Sequence, residues 1–281
     1  MTVRPDGSRY ISRVTDRADI GVIGGSGFYE FLDSADEVQV ETPFGPPSDP
    51  LVIGEIGGKR VAFVPRHGHD HRLPPHKIPY RANLWALRSV GVRQVLAPSA
   101  VGSLTAQHGP GTLIVPDQVV DRTSGRLQTF YDGPGAVHVS FADPYCPVGR
   151  AGAIAAARAV GWDAVPSGTL VVIEGPRFSS RAESRWYARQ GWSLVGMTGL
   201  PEAALARELA LCYTSFSLVT DLDAGVEEGH GVTHADVLKV FAANVTRLRQ
   251  VIVRAITDLP LDRDCPCGHA LEGLKLPFDL P

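Results

Sequence analysis

A chain of 281 residues, 44% hydrophobic and with a formal net charge of −3, has material for a large core and no basic field to attract nucleic acid. Its N-terminus, MTVRPDGSRYISRVTDR, has arginines but no apolar run, so it does not read as a secretory leader, and no stretch approaches the roughly 18 apolar residues of a membrane helix. Four cysteines at irregular spacing argue against a disulfide scaffold and favour a reducing, cytoplasmic setting.

Residues 1–18 are polar and read as a flexible segment. IGVIGGSG (20–27) reads as a buried strand entering a glycine loop, and DPLVIGEIGGKRVAFVPRHG as a hairpin turning at Gly57-Gly58. PYRANLWALRSVG predicts a helix stopped by Gly91, and RQVLAPSAVGS a strand entering a small-residue loop. GTLIVPDQVVD is a further strand, and VGRAGAIAAARAVG a helix stopped by Gly161. Strand, loop and helix then follow twice, with Ser179 or Ser180 capping the first helix. The strand CYTSFSLVT ends on Asp221 and Asp223, and a long amphipathic helix, apolar at Val237, Leu238, Val240, Phe241, Val245, Leu248, Ile252 and Val253, comes after it. This alternation predicts an α/β fold, a three-layer sandwich around a mixed, largely parallel twisted sheet. No repeat or linker divides residues 19–281, which read as a single domain with a docking tail from about 258 to 281.

Several strands stop in chemically loaded loops, which in open α/β sheets is where ligands bind. GGSG is neither a dinucleotide fingerprint nor a Walker loop; it is either a tight turn or a cradle holding one phosphate with Ser26. PRHGHDHR sets His67, His69 and His71 at alternate positions, a pattern that three-imidazole zinc sites share. The preferred reading is an oxyanion clamp made by Arg66 and His67, with His69 and His71 solvated. Ser99 in PSAVGS and Thr198 in GMTG offer hydroxyls for the same anion, and Met197 is either core or a wall for a flat or sugar-like ligand. Phe178 is core or a stacking ring, and the serines beside it lack the GxSxG context of a hydrolase. Two carboxylates at the end of an apolar strand are costly without partners. The pair Cys265 and Cys267 in CPC is a redox or disulfide motif or, as preferred, two free thiols in a turn.

Taken together, IGGSGFYEF, ETPFGPPSDPL, RHG, YRANLWAL, DQVVDRTSGRLQTFYDG, DPYCP, TLVVIEGPRFSSRAES, GMTGLPEAALAREL and TDLDAG closely resemble the methylthioadenosine phosphorylases, in the trimeric branch of the purine nucleoside phosphorylase family. The resemblance spans roughly residues 19–260. It implies a nucleoside phosphorylase-like fold and phosphate-dependent cleavage of an N-glycosidic bond. It assigns phosphate to Ser26, Arg66, His67, Ser99, Ala100 and Thr198. The nucleoside falls to Met197, Phe178, Ser179, Asp221, Asp223 and His234, and His138 is lent by a neighbouring subunit. It implies no metal and no organic cofactor, inorganic phosphate being a co-substrate, and a homotrimer or doubled hexamer with no nucleic-acid or membrane partner. Asp221 is expected to protonate the departing purine and Asp223 to accept from a 6-amino group, or the two roles are reversed. His234 stands where methylthio-specific members carry an aliphatic residue, which leaves adenosine and other 5′-substituted 5′-deoxyadenosines as alternative substrates; 6-oxopurine nucleosides are a further alternative, against which Asp221 argues. A water-using nucleosidase and a non-catalytic nucleotide binder are the competing readings.

Overall fold

The computed structural model describes residues 17–25, 35–227 and 231–281. The strands run in the order β2 (Asp36–Val38), β3 (Leu51–Ile56), β4 (Lys59–Pro65), β1 (Ile20–Gly24), β5 (Gln94–Ser103), β9 (Leu194–Gly196), β8 (Thr169–Ile173) and β7 (Gln118–Arg122). β10 (Cys212–Leu222) pairs with β5 along its length and with the short β6 (Leu113–Ile114).

Alternation along the strands sorts the core into two faces. Ile20 and Val22 of β1, Val61 and Phe63 of β4, and Phe216 and Leu218 of β10 pack with α2 (Pro147–Ala159) and α5 (His234–Asp258). Ile23, Ala62, Val64 and Val219 pack on the other side, with α1 (Tyr80–Ser89) and α4 (Gly199–Glu208). Helix, sheet and helix are the three expected layers. α3 (Arg181–Arg189) covers β8 and β9 through Tyr187. Ser180 caps it: its hydroxyl accepts from the Glu183 amide while the Glu183 carboxylate accepts from the Ser180 amide, a cap worth about 1 kcal/mol.

β5 organises the sheet. Its first residues, Gln94 to Leu96, pair in parallel with β1, and its last, Gly102 and Ser103, pair antiparallel with β9. Between those pairings, no strand among the described residues lies beside that edge of β5. The strand is buried throughout except at Ser99 and Ala100. PSAVGS is therefore strand and not loop: β10 holds it in register from the other edge, Ser217 against Ser99 and Leu218 against Ala100. The expected strand GTLIVPDQVVD is broken into β6 and β7 around Pro116, which has no N–H to give a ladder.

The first turns of α5 are uncovered, with Leu238 53% exposed, and full burial begins at Leu248. At the chain ends, Ala18 is buried against the Val90 carbonyl, inside the stretch expected to be flexible. The tail docks on the body through Cys265, Cys267 and Phe278, whose ring lies 5.4 Å from Tyr131 and 5.7 Å from Trp85, more than through its leucines. No helix among the described residues is long and apolar enough to cross a membrane.

Candidate active site

The gap on β5 is where strand ends meet. β1 and β4 run parallel to β5 and stop at Gly24 and Pro65, approaching Ser99 from one direction. β9 runs against β5 and stops at Gly196, approaching from the other, with Met197 and Thr198 next in the chain. Two parallel half-sheets thus point their carboxyl ends at each other. The expected convergence of loops is present, but by opposition of half-sheets and not along one edge of an open sheet.

Arg66 sits at this junction, 3% exposed. Its Nε and Nη2 donate to Glu202 at 2.8 and 2.9 Å, Nη1 donates to the Pro98 carbonyl at 3.0 Å, and Nη2 also reaches the Ile23 carbonyl at 3.0 Å. Burial opposes its charge, and Glu202 more than offsets that. Of five guanidinium N–H groups, one on Nη1 remains for a ligand. Arg66 thus ties β1, the bare edge of β5 and α4 together, as a pair whose charge Glu202 has already neutralised. Tyr213 also donates to Glu202, at 2.7 Å. Sequence reasoning missed Glu202, which stands 136 positions from Arg66 and carries no local signature.

His67 follows Arg66. Burial, with the Arg66 and His71 charges, pulls its pKa down to about 4 against the opposing Leu73 hydrogen bond, so the ring is neutral at pH 7. Its Nδ1 lies 2.8 Å from the Leu73 carbonyl, which can only accept, so the proton sits on Nδ1 and Nε2 carries a lone pair. His71 stacks on His67 at 4.2 Å. Burial lowers the His71 pKa, as does the charge of His234 at the start of α5.

Thr198 precedes α4, is 9% exposed and makes no side-chain cap bond. Met197 and Phe178 are both half-buried. Gly175 has φ +66° and brings its loop so near Met197 that a Cβ there would lie 2.7 Å from the sulfur, a conformation and an approach only glycine allows. Arg126, also missed, clasps both loops, donating to the carbonyls of Met197, Leu200, Ile173 and Glu174.

The two acids lie on the far edge of β5. Asp221 pairs with Gly102 and accepts from the Thr220 hydroxyl at 2.9 Å. Burial pushes its pKa up to about 6; Thr220 opposes this, and the charges of Asp223 and Asp236 add to it. Asp223 is 3% exposed, its backbone N–H bonded to the Ser103 carbonyl. Its pKa is raised by burial, against the Ser184 and Ser179 hydroxyls and the Ala224 amide beside it. Nevertheless Asp223 Oδ2 and Ser179 Oγ, both enclosed, complete no hydrogen bond among the described residues. Buried polar atoms left open in this way are what a ligand with matching donors would satisfy.

Ser26 lies outside the described residues. His138 is exposed on the irregular segment between β7 and α2, and among the described residues no hydrogen bond or ion pair joins it to these groups. His234 is exposed at the first turn of α5.

The sequence model of the phosphorylase superfamily matches residues 19–257. The chain is 64% identical over 275 residues to a purine nucleoside phosphorylase of Streptomyces coelicolor, covering 94% of this chain and 98% of the relative. It is 56% identical over 263 residues to an S-methyl-5′-thioadenosine phosphorylase of Mycolicibacterium smegmatis, covering 93% and 99%. A methylthioadenosine phosphorylase sourced from an antarctic soil metagenomic library superposes with a TM-score of 0.84 at 41% identity, covering 92% of each chain. With matches this long at both levels, the chain belongs to the phosphorylase superfamily, among the methylthioadenosine and purine nucleoside phosphorylases.

Proposed function

We propose that the chain cleaves the N-glycosidic bond of 5′-methylthioadenosine with inorganic phosphate, releasing adenine and 5-methylthioribose-1-phosphate. The observation that carries this is the pair of enclosed acids, Asp221 poised near pH 6 and Asp223 with an open oxygen, across β5 from the Arg66–His67 corner. Asp221 protonates, or donates a hydrogen bond to, the five-membered-ring nitrogen as the purine departs. Asp223, which accepts when ionised, receives the 6-amino group. Phosphate is held by Ser26, the remaining Arg66 donor, Thr198 and the Ser99–Ala100 edge, and attacks the sugar from the face opposite the base. The His67 lone pair accepts the phosphate's own O–H. Fixing both reactants in line removes several kcal/mol of barrier, and the phosphate charges stabilise the cationic sugar. Met197 and Phe178 wall the ribose and purine, and the open Ser179 hydroxyl meets the nucleoside beside Asp223. The reaction itself uses no metal and no organic cofactor. The protein works as a cytoplasmic homotrimer, or a hexamer built from two, with His138 reaching the neighbour's 5′ pocket.

A second reading, a broader purine nucleoside phosphorylase that takes adenosine, is favoured by His234, whose charge acts on His71 and whose polar ring can meet a 5′-hydroxyl, and by the name of the Streptomyces relative. Ultraviolet assays of base release from methylthioadenosine, adenosine and inosine, with and without phosphate, decide between them. The first reading expects adenine release that needs phosphate and favours methylthioadenosine. Equal or better turnover of adenosine supports the second, and release without phosphate overturns both.

A further inference from the structure

The sequence left CPC without a task. In the fold, Cys265 and Cys267 meet Cys146 and Cys212, and all four are buried. The four sulfurs lie within 4.8 Å of one another, with Cys212 and Cys265 at 3.4 Å. We infer that these four cysteines form a closed structural zinc site that pins the C-terminal tail to the body.

A tetrahedral site with zinc–sulfur bonds of about 2.3 Å sets its sulfurs about 3.8 Å apart, between the distances found here. The four ligands come from separate places: Cys146 at the N-cap of α2, Cys212 at the start of β10, and two from the tail turn. A single ion would therefore join a helix, the central sheet and the tail. The surroundings suit thiolates. The Gly149 amide donates to the Cys146 sulfur at 3.4 Å, and Arg263 Nη1 donates to the Cys212 sulfur at 3.7 Å. Four soft donors that fill every position leave no opening for water or substrate, which marks a structural ion and not a catalytic one. Asp221 stands nine positions after Cys212 on β10, about 30 Å at strand rise, so the ion has no reach to the purine site. Binding releases the thiol protons to solvent.

The test uses the untagged full-length chain, expressed with added zinc and purified without chelator. Mass-spectrometric metal analysis should find about one zinc per chain, and cobalt exchanged into the wild type should give a thiolate charge-transfer band. The Cys265→Ser/Cys267→Ser double variant should lose at least about nine-tenths of the zinc and melt earlier, with kcat on the preferred nucleoside unchanged. Thiols should titrate fully only after chelation in denaturant. Iron in place of zinc, thiols recovered only after reduction, metal-free protein with four titratable thiols, or zinc retained by the double variant overturns the site. Because metal content and the cobalt band are read on wild-type protein, the test stands even where the double variant fails to fold.

Discussion

Asp221 carries opposing demands. Burial that keeps a proton on it up to about pH 6, as the proposed acid role asks, also makes its ionised form costly to the fold. The sign follows from the raised pKa: the group costs nothing below about pH 4 and costs most above pH 6, where the folded protein must also ionise it. Asp221→Asn removes that cost while keeping an acceptor for Thr220. The variant should be more stable at pH 8 by on the order of 1–3 kcal/mol, a gain that disappears near pH 4 in thermal melts. Over the same substitution, turnover of adenine nucleosides should drop by roughly 10²–10⁴. The alkaline fall in wild-type kcat/KM, with a midpoint near pH 6, should vanish in the variant. Unchanged turnover would remove Asp221 from the chemistry. At this scale the sequence marked two acids ending an apolar strand and an Arg-His pair after another, groups that the structure buries or half-buries. It was silent on Glu202 and Asp236, because charge partners distant in the chain leave no pattern in either segment.

Among the elements, β5 does the positioning. Gly102 lies so close to Asp221 that a Cβ there would stand 2.9 Å from Oδ1. Gly102→Ala should push the carboxyl out of line, with kcat/KM falling about 10²-fold and a smaller effect on melting. An activity within twofold of wild type would mean that the strand yields and the acid keeps its place. On the opposite edge, Glu202→Gln leaves Arg66 charged and unpaired in the core. Truncating one partner of such a pair costs about 3–5 kcal/mol, so urea unfolding should shift by that amount. The reading of PSAVGS as loop failed for a physical reason. Small residues favour turns in isolation, yet pairing with β10 overrides that preference, and the small side chains leave the bare edge open. Pro116 was the opposite case, a local signal strong enough to break a strand that the apolar pattern alone would have run through.

At the scale of the molecule, the three layers were legible because each strand presents alternate faces to two helical layers. The subunit arrangement was not, since an interface has no period. Complementation can read it. If His138 serves the neighbour's site, co-refolding His138→Ala with Asp221→Asn chains should restore about a quarter of the sites of a mixed trimer, from two inactive parents. No recovery would confine His138 to its own chain. The chain as a whole is anionic, and the corner proposed to hold phosphate offers an already paired arginine and a neutral imidazole. On that proposal attraction by charge does not select the ligand; the proton the ligand carries does. Hydrogen phosphate and hydrogen arsenate bring an O–H for the His67 lone pair, and sulfate at neutral pH brings none. Arsenate should thus support turnover, sulfate should compete poorly, and added salt should change the KM for phosphate little.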